Sequence, residues 1–401
     1  MGLYLLLESL EGGGAEAVAL RLSSLLPADK VITLSDQADF EVPEGRWASI
    51  SSRLGDLLFG HLSLISYEIY SRKLSRLLSS GSVVLSFSKR TNFLNVFASR
   101  RIGHVPVVSV HNMPYGREGP GPLKRAVEAH YYRRARAVVA VSRGIASYLR
   151  ALGIPEETIR VIYNPFPLDE IARMAGEEVD LPLGDGPILV TAGRLSRQKG
   201  QWHLIRAFAE LKRSVPGAKL LVLGKGGLRD RLVDLSRRLG LRAHVWEEGE
   251  AKGDFDVSFL GFQRNPFKYM ARADLFVLSS LWEGFSNVLV EALSLGVPAI
   301  SADCAVGPRE ILHPSSPLEA VARDVELGDF GVLVPPMDRR YRWDAGELDE
   351  GERRLCEAMR LLLEDRSLRE RYAGVGPRRA SDFSAQNSRE SWLSLLRGIG
   401  L

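Results

Sequence analysis

Four clusters of polar residues in this chain have the types and spacing to hold anions and hydroxyl groups. The most specific runs Ser279-Ser280-Leu281-Trp282-Glu283-Gly284-Phe285-Ser286-Asn287-Val288-Leu289-Val290-Glu291, directly after an apolar run at 275–278. A carboxylate at Glu283 can grip sugar hydroxyls. The N–H groups left free where Gly284, Phe285, Ser286 and Asn287 turn into a helix can hold phosphate, and Glu291 can chelate ribose hydroxyls. Two glutamates eight residues apart are common by chance, but this arrangement after a strand is not.

The second cluster is Gly193-Arg194-Leu195-Ser196-Arg197-Gln198-Lys199-Gly200, which follows the apolar run 187–192. Arg194, through its planar fork, and Lys199, as a compact charge, can converge on one pair of phosphates. A merely basic loop is the alternative, and Arg197 is as readily solvated. The third is His111, just beyond the run 106–110. It can bond a substrate hydroxyl or a phosphate-adjacent group at neutral pH, or simply cap a loop. The fourth is Glu11-Gly12-Gly13-Gly14-Ala15-Glu16, where Gly13 and Gly14 admit close backbone approach to an anion at a helix N-terminus, or only a tight turn. Its spacing is not GxGxxG and no acidic ribose partner follows, so a nicotinamide site is not implied. Asp254-Phe255-Asp256 is formally a metal-binding DxD, but it precedes a strand, and a solvated acidic loop is the better reading.

Residues just beyond strands matter because open doubly wound sheets bind ligands at the carboxyl ends of their strands. Short β-branched or Leu-rich runs alternate with amphipathic stretches along nearly the whole chain, the pattern of an α/β fold with parallel strands and crossover helices. Strands are expected near 3–7, 30–34, 82–87, 106–110, 137–141 and 159–162, then 187–192, 219–223, 257–260, 275–278, 298–301 and 331–334. Asn164-Pro165-Phe166-Pro167 breaks the pattern, so a first domain is expected over 1–166, a linker over 167–186 and a second domain over 187–383. Residues 242–256 read as a polar insertion.

At 401 residues the chain is too long for one ordinary core, and its 45% hydrophobic and 25% charged residues are those of a globular protein. Cys304 and Cys356 form neither a disulfide framework nor a metal-ligand spacing, which favours a reducing compartment. The run Met1 to Leu7 meets Glu8 and Glu11 early and reads as a buried strand, not a signal peptide, and no later stretch has the length of a membrane span. The net charge of +4 hides an uneven layout: residues 1–68 carry four Lys/Arg against ten Asp/Glu, and residues 69–165 carry sixteen against four. An anionic partner is expected for the second stretch.

These residues together resemble a retaining glycosyltransferase of the GT-B type, family 4, as found in bacterial capsule, O-antigen and protein-glycan synthesis. The resemblance rests on Gly12-Gly13-Gly14-Ala15-Glu16, Ser142, Gly193-Arg194 with Lys199-Gly200, the Glu283/Glu291 signature, Gly307-Pro308-Arg309-Glu310-Ile311 and the run from Phe259-Leu260-Gly261-Phe262-Gln263 to Leu312. It covers nearly the whole chain and is strongest in the second half. The 242–256 insertion and Asn164-Pro165 depart from the family pattern.

The resemblance implies two doubly wound Rossmann-like domains facing across a cleft, with a last helix from about 384 returning to the first domain. The first domain would bind the acceptor and the second a nucleotide-diphosphate sugar. Arg194 and Lys199 would take the diphosphate, Glu283 the donor sugar, Glu291 the ribose and His111 the sugar from the opposite wall, while Gly13 and Gly14 let acceptor and phosphate approach. Neither cofactor nor metal is expected. A uridine diphosphate hexose or N-acetylhexosamine is the first expectation for the donor and a guanosine diphosphate sugar the second. The acceptor is expected to be a glycan, polyprenyl-linked, and the protein cytoplasmic. Segment 117–136 (Arg117, Pro122, Leu123, Val127, Tyr131, Tyr132, Arg136) would rest on anionic lipid, or else be an ordinary solvated face. Nucleic-acid binding is not expected, because no recognition motif accompanies the charge. A nucleotide-sugar epimerase on the same scaffold, or a non-catalytic nucleotide-sugar-binding subunit, would use the same donor residues.

Overall fold

The structure, a computed structural model, describes all residues except Met1, Gly12, 39–44, 59–62, 114–119, 247–248 and 250–254. The chain forms two compact units. One comprises Met1–Asn112, Glu118–Pro165 and Ala385–Leu401, and the other is built around Phe166–Ser384.

The first unit holds strands β1 (Leu3–Leu7), β2 (Lys30–Thr33), β3 (Trp47–Ser49), β4 (Val83–Ser86), β5 (Val105–Val110), β6 (Ala137–Ala140) and β7 (Ile159–Val161). They form one sheet in the order β3-β2-β1-β4-β5-β6-β7, and every pairing is parallel. β4 and β6 are buried along their whole length, as parallel strands covered by helices on both faces must be. The sequence pattern misses β3, whose alternating exposure at Trp47, Ala48 and Ser49 marks an edge strand with little apolar signal. The final helix, Ala385–Gly398, belongs to this unit. Its Trp392, Leu395 and Leu396 join the core with Leu5, Leu22, Val83, Leu85 and Val139, and Ser388 Oγ donates to Tyr163 O at 2.9 Å.

The second unit holds β8 (Ile188–Ala192), β9 (Lys219–Leu223), β10 (Ala243–Val245), β11 (Val257–Gly261), β12 (Leu275–Leu278), β13 (Ala299–Ala302), β14 (Glu326–Leu327) and β15 (Val332–Val334). Their order is β10-β11-β9-β8-β12-β13-β15-β14, and only β14 runs antiparallel. Two sequence expectations change. The stretch 242–256 is not wholly an insertion, because Ala243–Val245 pairs with β11 as a short edge strand. The tract 167–186 carries the helix Leu168–Ala175, which buries Ile171 within this unit.

The order of strands decides where ligands can bind. β8 lies between β9 and β12, and β1 between β2 and β4, so each sheet reverses its winding there. Crossover connections leave in opposite directions at such a point and open a crevice at the carboxyl edge. In the second unit that edge carries the loop after Ala192 and the loop after Leu278.

Candidate functional site

Pairing of Leu275 with Leu189 and Phe276 with Val190 sets β12 beside β8, so the two most specific sequence clusters leave the sheet as neighbours. They are stitched together by backbone and side chain. Leu281 N–H donates to Gln198 O at 2.7 Å, and Ser279 Oγ donates to the Lys199 and Gly200 carbonyls, each at 3.1 Å. Gly200 has to be glycine: its φ is +59°, and a Cβ would stand 2.5 Å from the Ser279 carbonyl oxygen.

This stitching brings Lys199 and Glu283 into contact. Lys199 Nζ lies 2.6 Å from Glu283 Oε1, Ser280 Oγ donates to the same oxygen at 2.6 Å, and Gln198 Nε2 donates to the Trp282 carbonyl at 3.1 Å. Glu283 is 5% exposed and Lys199 half-buried. A carboxylate so far from water is held by its cation and two neighbouring donors. Gly193, at φ +145°, packs on the Lys199 side chain, where a Cβ would stand 3.0 Å from Cε. Arg194 lies exposed beside this pair in sequence, its carbonyl accepting from Gln201 Nε2 at 3.1 Å. Among the described residues its guanidinium makes no hydrogen bond or ion pair.

Beyond Glu283 the chain turns sharply into the helix Asn287–Ser294. Gly284 is buried, and Phe285 packs edge-on against Phe383 with centroids 5.0 Å apart. Ser286 is the sole described non-glycine residue at positive φ, 73°, and its buried Oγ has no partner among the described residues. A hydroxyl and free N–H groups at a helix N-terminus can donate to an acceptor oxygen such as that of a phosphate. Glu291 is half-buried one turn further along the helix. Gly307 closes over this turn, since a Cβ there would come 2.8 Å from Phe285 O. Arg309, in the same run, is a structural residue: it is 3% exposed and pairs with Asp303 at 2.6 Å and Glu326 at 2.7 Å.

The remaining expected residues lie in the other unit. Gly13 precedes and Gly14 opens the helix Gly14–Leu25 after β1, whereas Gly12 lies outside the described residues. His111 stands just past β5 with its ring against Phe87, centroids 5.6 Å apart, and Nε2 2.9 Å from Ser109 Oγ. Desolvation pushes its pKa down from 6.5 to about 3, so the ring is neutral at physiological pH. Both Gly13 and His111 sit at the carboxyl edge of their sheet.

Sequence reasoning gave no role to Gln198 and Ser280, which support the Lys199–Glu283 pair, although both stand inside the quoted clusters. It also missed a cavity of about 580 Å³ at the carboxyl end of β11, lined by Lys225, Trp246, Phe262, Gln263, Arg264 and Lys268 among others. Its loops adjoin the site, because Gly193 N–H donates to Leu223 O and Gly224 N–H to Gly261 O. The signal was faint: mixed basic and aromatic residues after a strand, with no fixed spacing.

Two groups have the elements of a metal site. Asp254 lies outside the described residues, and Asp256 is buried with Lys212 at 2.7 Å and Arg242 at 2.8 Å. Despite desolvation, those cations hold its carboxyl well below the usual range, as befits an internal counter-ion. His203, Asp349 and Glu352 place potential ligand atoms within 4.8 Å of one another. There both ring nitrogens of His203 already face protein oxygens.

With this geometry in view, similarity to known proteins is decisive. A family described as Glycosyltransferase Family 4 matches residues 12–170, and one described as Glycosyl transferases group 1 matches residues 177–317. The chain belongs to glycosyltransferase family 4. It is 34% identical over 280 residues to the uncharacterized glycosyltransferase MJ1059 of Methanocaldococcus jannaschii, an overlap of 67% of this chain and 65% of that protein, just under two thirds of the relative's length. It is 27% identical over 402 residues to the N-acetylgalactosamine-N,N'-diacetylbacillosaminyl-diphospho-undecaprenol 4-alpha-N-acetylgalactosaminyltransferase of Campylobacter jejuni, covering 97% of this chain and 98% of that enzyme. The solved structure of Anabaena HepE in complex with UDP and glucose superposes with a TM-score of 0.76 at 21% identity, over 99% of this chain and 100% of that one. The glycosyltransferase therefore has the GT-B fold, with two Rossmann-like α/β domains.

Proposed function

We propose that this glycosyltransferase is a retaining, metal-independent enzyme that moves a hexose or N-acetylhexosamine from a uridine diphosphate sugar to a polyprenyl-linked glycan. The observation that carries the reading is the buried Lys199–Glu283 pair at the switch point of the second sheet, beside the strained turn at Ser286. Lys199 and Arg194 supply cations for the diphosphate, and Ser286 with the first N–H groups of the helix Asn287–Ser294 supplies neutral donors. Glu283 accepts from donor-sugar hydroxyls and Glu291 from the ribose. The basic and aromatic cavity beyond β11 offers Phe262 and Lys225 to the nucleoside. His111, neutral and at the edge of its own sheet, is a hydrogen-bonding partner for a sugar hydroxyl.

In transfer, the bond from the anomeric carbon to the β-phosphate oxygen breaks and its electron pair stays on the diphosphate. The acceptor oxygen attacks the same face of the sugar and gives its proton to a donor phosphate oxygen. No protein nucleophile is assigned. Preorganised charge at Arg194, Lys199 and the helix N-terminus stabilises the leaving diphosphate, the electrostatic contribution that dominates in such sites. UDP in the HepE complex and diphospho-undecaprenol in the name of the Campylobacter relative support the choice of donor and acceptor.

A lipid-linked acceptor calls for a surface that meets a membrane. Among the described residues no helix is long and apolar enough to cross one. Large side chains nevertheless stand exposed on three helices of the first unit: Leu54 and Leu57 on Arg53–Leu58, Leu64 and Ile65 on Ser63–Leu74, and Leu123 and Val127 on Pro122–Tyr132. We assign these, with the basic excess of 69–165, to a peripheral contact with anionic lipid at the cytoplasmic face.

The deciding experiment measures nucleotide release from a panel of nucleotide sugars by wild type and Glu283→Ala, with and without a polyprenyl-linked glycan. Acceptor-dependent release of UDP, lost in the variant, is expected. Sugar isomers formed without acceptor would give the site to an epimerase, and donor binding without turnover to a binding subunit.

A further inference from the structure

The loop that follows β15 lays a row of aromatic and arginine side chains against the two loops of the donor site. Trp202, 0% exposed at the start of the helix Gln201–Ser214, is the base of the row. Its ring centroid lies 4.9 Å from that of Tyr341 and 5.7 Å from that of Trp343, and those two rings are stacked 5.5 Å apart with their planes at 20°. Two arginines lie over aromatic faces here. Arg197 Cζ stands 5.5 Å from the centre of the Tyr341 ring, and Arg339 Cζ stands 5.5 Å from the centre of the Trp282 ring. Attraction to a ring face steers a guanidinium but takes up none of its N–H groups.

What these two arginines lack is an anion. The carboxylates of the surrounding loops are already matched: Asp338 pairs with Arg340 at 2.9 Å, Asp349 with Arg342 at 3.2 Å and Glu283 with Lys199 at 2.6 Å, while Asp344 lies 3.5 Å from Arg206. Arg197 and Arg339 are exposed and make no ion pair among the described residues. They are nevertheless tied together, since Arg197 Nη2 donates to the Arg339 carbonyl at 3.0 Å. Both also border the donor pair: Arg197 stands just before Gln198 and Lys199, and Trp282, the ring under Arg339, immediately precedes Glu283. Two like charges on a rigid support, with no carboxylate between them, are complementary to a ligand that carries adjacent negative groups.

We propose that Arg197 and Arg339 form a second anion subsite, separate from Arg194 and Lys199, that takes the diphosphate of a lipid-linked acceptor. A planar guanidinium presents paired N–H groups to one phosphate, so two arginines match two phosphates. A lone phosphate engages one fork and leaves the other charge uncompensated. Stacking on Tyr341 and Trp282 fixes the planes of the forks, which lysine, a point charge on a flexible stem, does not reproduce. No bond forms or breaks at this subsite; it decides which acceptors are held. The identity of the ligand rests on the acceptor proposed above, but the capacity to hold a diphosphate does not.

The test titrates geranyl diphosphate and geranyl monophosphate into the full chain saturated with UDP, which fills the donor's own diphosphate site. The diphosphate is expected to bind about tenfold more tightly than the monophosphate, the contribution of one further charged hydrogen-bonding group. Arg197→Gln/Arg339→Gln should lower diphosphate affinity about a hundredfold, with melting temperature and UDP affinity unchanged. Arg197→Lys/Arg339→Lys keeps the charge and should still bind about tenfold more weakly than wild type. Arg340→Gln removes a charge from the same loop, but from a residue already paired with Asp338, and should leave diphosphate binding unchanged. In turnover the double Gln variant should raise the acceptor KM and not the donor KM. Equal diphosphate binding by wild type and the double Gln variant, or equal binding of the two geranyl ligands by wild type, overturns the proposal. So does a double Gln variant that keeps its diphosphate affinity but no longer sediments with phosphatidylglycerol vesicles, which gives the arginines to a lipid headgroup. An unchanged acceptor KM in that variant overturns it too, with the transferase reading intact. If UDP does not bind, the titration without UDP decides: wild type holding one more diphosphate than the double Gln variant keeps the subsite, and only the donor reading falls.

Discussion

Lys199 Nζ and Glu283 Oε1, 84 residues apart in the chain, meet at 2.6 Å across the loops that leave β8 and β12. Neither side chain is well solvated, so each is the other's chief compensation for leaving water. Lys199→Met strands the Glu283 carboxylate with Ser280 and Gln198 alone, and breaking a buried pair in this way costs about 3–5 kcal/mol. Lys199→Met/Glu283→Gln removes both charges and should recover most of that loss. Thermal unfolding of the two variants reads the difference. Turnover should fall about 10²–10³-fold in both, the range for losing one preorganised electrostatic group. Equal melting temperatures for the single and the double variant would show the pair to be of no account.

Ser286 lets stability and binding be separated. Its left-handed backbone costs a non-glycine residue about 1–2 kcal/mol, so Ser286→Gly should stabilise the fold by about 0.5–1 kcal/mol after the greater freedom of glycine when unfolded is offset. Losing Oγ should still weaken donor binding about tenfold, an ordinary hydrogen-bond loss. Ser286→Ala keeps the strain and should bind no better than the glycine variant. Urea midpoints and UDP titration calorimetry check the opposite signs. A glycine variant that is both less stable and equally good at binding contradicts the strain argument.

His104 should make the first unit acid-sensitive. The ring is 4% exposed, desolvation lowers its pKa from 6.5 to about 4, and Nε2 meets Asn95 Oδ1 at 2.8 Å, while Nδ1 has no partner among the described residues. Because the folded pKa is the lower one, the unfolded chain takes up the proton first as pH falls. The stability is whole above about pH 6.5 and drains away between about 6.5 and 4, to a limit of about 3 kcal/mol. Urea unfolding at pH 7 and pH 4.5 should show that slope in wild type and a shallower one in His104→Gln, which does not titrate.

The exposed leucines of the first unit should govern attachment to lipid. Leu57 is 75%, Leu64 64% and Leu123 79% exposed, and Tyr67 and Tyr131 sit with ring centroids 6.4 Å apart between two of their helices. Changing all three leucines to Gln should lower sedimentation with anionic liposomes at least tenfold, since each apolar side chain contributes about 1–2 kcal/mol on burial. Melting temperature should hardly move, because the residues are exposed. Raising the salt should weaken wild-type binding as well. Wild type that stays in the supernatant at low salt removes the membrane surface from the proposal.

Much of this protein was legible in the residues. Apolar runs such as Val83–Ser86 and Leu275–Leu278 announce buried parallel strands, because a strand covered on both faces needs apolar side chains at every position. Polar clusters directly after such runs then point to the ligand edge. Edge strands escape this logic: Trp47–Ser49 and Ala243–Val245 are half-covered, and their sequences carry no run to detect.

What the sequence could not determine is which clusters meet. Nothing local links Lys199 to Glu283 or His203 to Glu352, because their contacts depend on the order of strands in the sheet and on how a distant helix packs on it. Local spacing specifies the turn at Ser286 and the capping box at Asp349, where the interacting groups are a few bonds apart. Pairing across 84 and 149 residues is set by the tertiary fold, which brings polar groups together in an interior where each must find in the other the partner that water no longer supplies.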